Sequence, residues 1–255
     1  MKLDLSVSEI EKMYPYFYEM HLHTNVASAC GKASPEEMAV ACKEYGYTGI
    51  VVTEHNWGWN TSVDCYLLIS EWDKWIDTYS QAYYRAKKKG DEIGLDVFFG
   101  MEAGFNGTEF LIYGLTPDYF ISHPEFRDAK INEMHELVKQ GGGIFVHAHP
   151  FRDEKYIPEI RLFPEDVDAV EGANGTHVAK TSQHELNPGF DILARDYAKK
   201  YSLPMTAGSD VHRAVMIGAG IRCKYRIKDG KDLAKLILSG ENYVIFDSID
   251  YYWPK

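Results

Sequence analysis

Residues able to hold a metal ion recur along this chain at short spacings. His21 and His23 are separated by one residue, as are His147 and His149, and Asp210 and His212. Side chains alternate between the faces of a β-strand, so two groups two residues apart aim at one point. Glu54-His55 and Glu102 lie between the first two pairs, and Glu171 and Asn174 between the last two. Imidazole and carboxylate together suit zinc, manganese or iron. Six histidines with two or three carboxylates exceed what one tetrahedral ion needs. The set implies two or three divalent cations. A cluster of this kind makes water nucleophilic at neutral pH and clamps an oxyanion, an arrangement suited to hydrolysing a phosphate ester.

The members differ in what they can do. Glu102, with two oxygens, is the natural bridge between cations. Glu54 precedes His55 and points the other way on a strand, so it is expected to orient a ligand, with direct ligation as the alternative. His147 and His149 share a face, and one of them is free to hydrogen-bond or act on the substrate. Glu171 either ligates or is buried and paired, and Asn174 is a weak ligand. Arg152 and Arg213 closely follow His149 and His212 and are candidates to bind phosphate charge in a bidentate fashion; an exposed arginine is the plain alternative for each. His123, His135, His177 and His184 fall on expected helices or loops and read as surface residues.

These candidates fall at the ends of segments that read as strands. Such segments are expected over residues 16–23, 47–53, 94–105, 144–149, 168–173 and 204–209, with residues 109–114 read as a strand paired with its neighbour and further runs at 217–226 and 243–247. Gly49-Ile50-Val51-Val52-Thr53 is apolar and β-branched, as in a strand covered on both faces. Helices alternate with the strands. Ser34-Pro35-Glu36-Glu37 combines an N-cap, a proline suited to the first helical position and a capping-box glutamate, and Gly46 suits the stop. A second helix carries Trp72, Trp75, Ile76, Tyr79 and Tyr83 on one stripe, read as core, with Lys87–Lys89 near its end facing the dipole. Further helices are expected over 128–140, 188–201 and 231–239. Residues 56–70 are expected to be loop, 151–166 irregular with a short helix, and 1–15 an extension with one helical turn. Strand–helix alternation predicts a parallel sheet, and about seven repeats in 255 residues predict a closed or nearly closed α/β barrel in a single domain spanning 1–255. Such barrels build active sites at the C-terminal ends of their strands.

Net charge is −11, from 38 acidic and 27 basic residues, which disfavours broad binding to a nucleic-acid backbone. A phosphorylated substrate remains compatible, because bound divalent cations invert the local field. The expected partner is a small phosphorylated molecule, without nucleic acid or membrane. No run reaches the ~18 apolar residues of a membrane span, and the first residues are charged, without the apolar core of a secretory leader. Cys30, Cys42, Cys65 and Cys223 form no CxxC pair, which fits a reducing cytoplasm.

The motifs His21-Leu22-His23-Thr24, Ser34-Pro35-Glu36-Glu37, Thr53-Glu54-His55-Asn56, Gly100-Met101-Glu102, Ala148-His149-Pro150-Phe151-Arg152 and Ala207-Gly208-Ser209-Asp210-Val211-His212 together resemble the PHP (polymerase and histidinol phosphatase) family. They run in family order over about residues 15–215. The resemblance implies a distorted seven-stranded β/α (TIM-like) barrel, a metal cluster that is usually trinuclear, and phosphoesterase chemistry. It assigns His21, His23, His55, Glu102, His149, Asp210 and His212 as ligands. Three positions depart from the pattern. Where members commonly carry Ser-Asp-Gly with a ligating Asp, this chain has Ser28-Ala29-Cys30-Gly31, so the Cys30 thiolate fills the place or the place is lost. Glu54 stands for the usual Asp before His55, and Glu109 stands where many members have a histidine. A different hydrolase on the same cluster, of amidohydrolase type, and a non-catalytic metal-binding domain are the competing functions.

Overall fold

The computed structural model describes residues 1–180, 186–215 and 218–255; His184 and the start of the run expected at 217–226 lie outside them. The chain forms α1 (Val7–Met13), β1 (Tyr16–Glu19), α2 (Pro35–Tyr45), β2 (Gly49–Val52), α3 (Cys65–Ser70), α4 (Trp72–Ile93), β3 (Asp96–Phe105), β4 (Thr108–Tyr113), α5 (Pro117–Ser122), α6 (Ile131–Gln140), β5 (Ile144–His147), β6 (Ala169–Asn174), α7 (Gly189–Lys200), β7 (Met205–Gly208), β8 (Gly220–Cys223), α8 (Gly230–Ser239), β9 (Tyr243–Phe246) and β10 (Tyr251–Tyr252). α2 starts as its sequence predicts. Ser34 Oγ accepts the Glu37 N–H at 3.2 Å, and Glu37 Oε2 accepts the Ser34 N–H at 2.8 Å. Gly46 ends the helix at φ 108°, a left-handed conformation glycine adopts without steric cost.

α4 buries Trp72, Trp75, Ile76 and Tyr79 against the sheet, and the Tyr79 hydroxyl donates to the Glu54 carbonyl at 2.6 Å. The helix runs past Lys87–Lys89 to Gly94, so its last turn holds no basic residue. Lys87 and Lys89 pair instead with Asp91 and Glu92 on the same helix. The stretch expected to be loop contains α3, capped by Asp64, and residues 151–166 hold no helix.

The expectation of about seven parallel strands in a closed or nearly closed barrel is corrected. Ten strands form one curled, open sheet in the order β10-β9-β8-β1-β2-β3-β4-β5-β6-β7. β1–β2–β3 and β5–β6–β7 are parallel, but β4 runs antiparallel to both its neighbours. The cause lies at Asn106-Gly107, where both residues take positive φ, 50° and 84°. That two-residue turn folds β3 back into β4 as a hairpin instead of sending the chain over a helix. Closure fails because the outer edge of β1 is taken by antiparallel β8, which continues into β9 and β10. Among the described residues β7 and β1 form no ladder; the segments that follow them meet at an isolated bridge, Leu22 with Val211.

Candidate metal centre

The expected strand at 16–23 stops at Glu19. Beyond it, side chains satisfy the backbone in place of a ladder. Glu19 Oε1 accepts the His21 N–H at 3.0 Å, and Thr53 Oγ1 accepts the Leu22 N–H at 2.9 Å. The His21 and His23 carbonyl and N–H groups pair with Val211 after β7. His21 and His23 thereby arrive beside Asp210 and His212. β2 delivers His55, whose backbone bridges to Glu102 of β3. Glu109 enters from β4, opposite Gly104. His149 and Asp210 both have positive φ, 25° and 54°, costly conformations for residues with a side chain that aim them at the cluster.

Among the described residues, five trios of donor atoms lie within 4.8 Å of one another: His21/His23/Glu102, His21/His149/Asp210, His23/Asp210/His212, His55/Glu102/Glu109 and His23/Cys30/His55. Their orientation fits cations. A Glu171 carboxylate oxygen lies 2.9 Å from His21 Nδ1, which must donate to it, and leaves Nε2 facing inward. His21 Nε2 then lies 3.2 Å from Glu102 and 3.6 Å from Asp210, and His23 Nε2 lies 3.3 Å from each of the same carboxylates. A ring nitrogen this close to a carboxylate oxygen needs a positive charge between them, which a ring proton supplies in the metal-free chain and a cation can replace. His21 Nε2, His23 Nε2, His55 Nδ1 and Glu102 Oε2 are all buried without a hydrogen-bond partner, a state that a shared cation resolves.

Titration behaviour reports the same field. Burial works against charging His23, but Asp210 and Glu102 outweigh it and lift its pKa to about 9. Burial likewise opposes charge on Asp210, yet His21 and Arg152 hold it well below the carboxylate range. Burial, then His23, pulls His212 down to about 3. Glu109 is pushed well above its ordinary range by burial and by Glu102, so it offers a charge for a cation to recover.

Above the cluster opens a cavity of about 470 Å³, lined among others by Lys32, Trp59, Arg152, Tyr156 and Arg213. Arg213 is exposed at the cavity. Arg152 is buried, donating to Asp210 at 2.6 Å, to Thr176 at 3.0 Å and to His177 at 3.2 Å.

Other candidates stand elsewhere. Glu54 belongs to none of the trios; it accepts the Thr24 backbone N–H at 2.9 Å and the Thr24 hydroxyl, holding the chain just past His23. Glu171 touches His21 and accepts the His149 N–H at 3.0 Å, and Asn174 donates to Glu171 at 3.1 Å. His147 does not share a face with His149. β5 ends at His147, and the turn at His149 breaks the alternation. The His147 ring stacks on Phe110 at 5.0 Å, and burial draws its pKa down to about 3. The surface reading also fails for His177, which is buried and lies 2.6 Å from Asp191, and for His135, which is buried against Asp168 at 3.1 Å.

A family model described as the PHP domain matches residues 19–207. This chain belongs to the PHP domain family. A second model, described as PHP-associated, matches residues 193–242. No curated protein sequence matches the chain. Among solved structures it is similar to a two-domain protein from Bacteroides vulgatus containing a predicted PHP-like metal-dependent phosphoesterase, at 14% identity and TM-score 0.64. That match covers 91% of this chain and 64% of the other, so the chain spans under two thirds of that relative's length. A candidate metal-dependent phosphoesterase from Bifidobacterium adolescentis matches at 15% identity and TM-score 0.51, covering 88% and 96% of the two chains. An amidohydrolase from Chromobacterium violaceum, solved with sulfate and no metal, matches at 11% identity and TM-score 0.51, covering 76% and 87%.

The PHP motifs account for the donors but not for what holds them. Glu19, Thr176 and Asp191 lie in no motif, and Thr24 and Ser28 lie within motif stretches without being donors. Ser28 Oγ accepts the His55 N–H at 3.0 Å and meets His23 Nδ1 at 3.2 Å. The one signal available was position, since Thr24 and Ser28 lie within five residues of His23.

Proposed function

We propose that this PHP chain is a metal-dependent hydrolase that cleaves a small phosphorylated substrate. The observation that carries the reading is the facing of bare, buried imidazole nitrogens and carboxylate oxygens beneath a cavity that also holds Lys32, Arg152 and Arg213. His21, His23, His55, Glu102, Glu109, His149, Asp210 and His212, with Cys30, would hold two or three divalent ions of the zinc, manganese or iron type. When bound, such ions neutralise phosphoryl oxygens and make water nucleophilic near neutral pH.

The chain's own residues do the remaining work. Glu171 keeps the His21 proton on Nδ1 and so keeps Nε2 available. Lys32 and Arg213 draw an anionic substrate into a cavity on a chain whose net charge is −11. Arg152, fixed on Asp210, His177 and Thr176, places a permanent positive charge in the cavity wall. The Trp59 and Tyr156 rings, stacked 5.8 Å apart, cover one side of the cavity with apolar surface.

The similar fold of the amidohydrolase supports a second reading, hydrolysis of an amide or lactone on the same cluster. A panel of phosphate monoesters and diesters against amides and lactones, run on chain loaded with zinc, manganese or iron, separates the two. Turnover of phosphate esters that chelation abolishes is expected. Turnover confined to amides or lactones, or none with any metal, would overturn the proposal.

A further inference from the structure

We infer that Cys30 is a thiolate ligand, so that one metal position of this chain is a His23–Cys30–His55 site that selects a thiophilic ion such as zinc. The inference rests on the metal-dependent reading above and adds which ion one position takes. Cys30 Sγ lies within 4.8 Å of a ring nitrogen of His23 and one of His55. It is the one trio among the described residues that contains no carboxylate. Cys30 is in no disulfide and lines the cavity. The second observation is independent of the cysteine: His23 Nε2 and His55 Nδ1 are both buried with no hydrogen-bond partner.

The segment carrying Cys30 is held from several sides. Ser28 bridges to Thr61 and is tied to His23 and His55. The Ala29 N–H donates to the Asn60 carbonyl at 2.8 Å, and the Lys32 N–H to the His212 carbonyl at 2.8 Å. At Gly31 a Cβ would stand 2.0 Å from the Thr24 carbonyl oxygen, so only glycine lets this loop lie so close to the His23–Thr24 backbone. The sulfur is thus fixed beside both rings before any ion arrives, which lowers the ordering cost of ligation.

Two imidazoles and a thiolate form a soft donor set, whereas the other four trios each include one or two carboxylates and suit harder ions. Glu102 Oε2, 3.3 Å from His23 Nε2 and 3.0 Å from His55 Nδ1, is placed to complete a tetrahedral set around a zinc ion. On ligation the S–H bond breaks, the proton passes to solvent and the sulfur electron pair forms the bond to the ion.

The test is optical and does not depend on turnover. The metal-free chain is titrated with cobalt(II) as wild type, Cys30→Ser and Cys30→Asp, each checked for fold by circular dichroism. The wild type is expected to show a sulfur-to-cobalt charge-transfer band in the near ultraviolet that both variants lose while keeping their visible ligand-field bands. X-ray absorption of the zinc-loaded wild type is expected to show one sulfur at about 2.3 Å. In competition, Cys30→Asp is expected to lose on the order of tenfold in preference for zinc over manganese. A wild type that binds cobalt without the band, or binds none, overturns the inference, as does a band that survives in Cys30→Ser. Phosphate-ester turnover without the sulfur band sinks this assignment alone; the band without turnover sinks the proposed reaction alone.

Discussion

Glu171 shows how much of the site lies one layer behind the ligands. Its oxygens hold the His21 ring at 2.9 Å and the His149 backbone at 3.0 Å. Glu171→Gln keeps the shape but weakens the acceptor, so metal affinity is expected to fall about 10–100-fold with the fold intact; competition against a chelator reads it directly. Glu19 makes a separate prediction. Burial raises its pKa from 4.5 to about 7, while its Oε1 accepts the N–H groups of His21 and Ser209. The Tyr47 hydroxyl lies 2.6 Å from the Ala219 carbonyl and 3.0 Å from Glu19 Oε2. With its single proton on the nearer carbonyl, it accepts from a protonated Glu19. The folded state therefore keeps a proton that the unfolded chain has lost, and the stability from this is full below pH 4.5 and disappears as pH rises through about 7. Glu19→Gln mimics the protonated form, so melting of the metal-free variant is expected to fall less with pH across that window than the wild type. At this scale the donors were legible as closely spaced His and carboxylate residues at the ends of apolar runs, although His21, His23, Asp210 and His212 all lie beyond their strands. His147 was misread because alternation holds only inside a strand, and β5 ends on that residue.

At the scale of elements, the contact between β7 and the segment after β1 decides whether the halves of the site meet. A Cβ at Gly208 would stand 2.4 Å from the His21 Cβ. Gly208→Ala must push β7 away from His21, with an expected loss of about 1–3 kcal/mol in stability from overpacking and a matching drop in metal affinity; denaturant midpoints with and without metal separate the two effects. The helices were legible from local chemistry, as at Ser34-Pro35-Glu36-Glu37 and Gly46. The direction of β4 was not read from its apolar run, because periodicity reports which faces are buried and not which way a strand runs. The Asn106-Gly107 pair held that information as turn chemistry.

Across the whole molecule, donors nearly two hundred residues apart converge because the sheet curls until the ends of β1, β2, β5 and β7 surround Glu102. Local sequence carries the strand ends but not the closure. Whether β7 or β8 takes the edge of β1 depends on long-range pairing, and the antiparallel β8–β10 extension won that edge. Among the described residues no helix is long and apolar enough to cross a membrane. Every role proposed for these residues requires the cluster to hold cations, so the decisive measurement is the metal content per chain, by elemental analysis, of wild type, His21→Ala and Asp210→Ala after loading and dialysis. Two or three ions per wild-type chain, with at least one lost in each folded variant, is the predicted result. A wild type that retains none, or variants that keep the full complement, would contradict it.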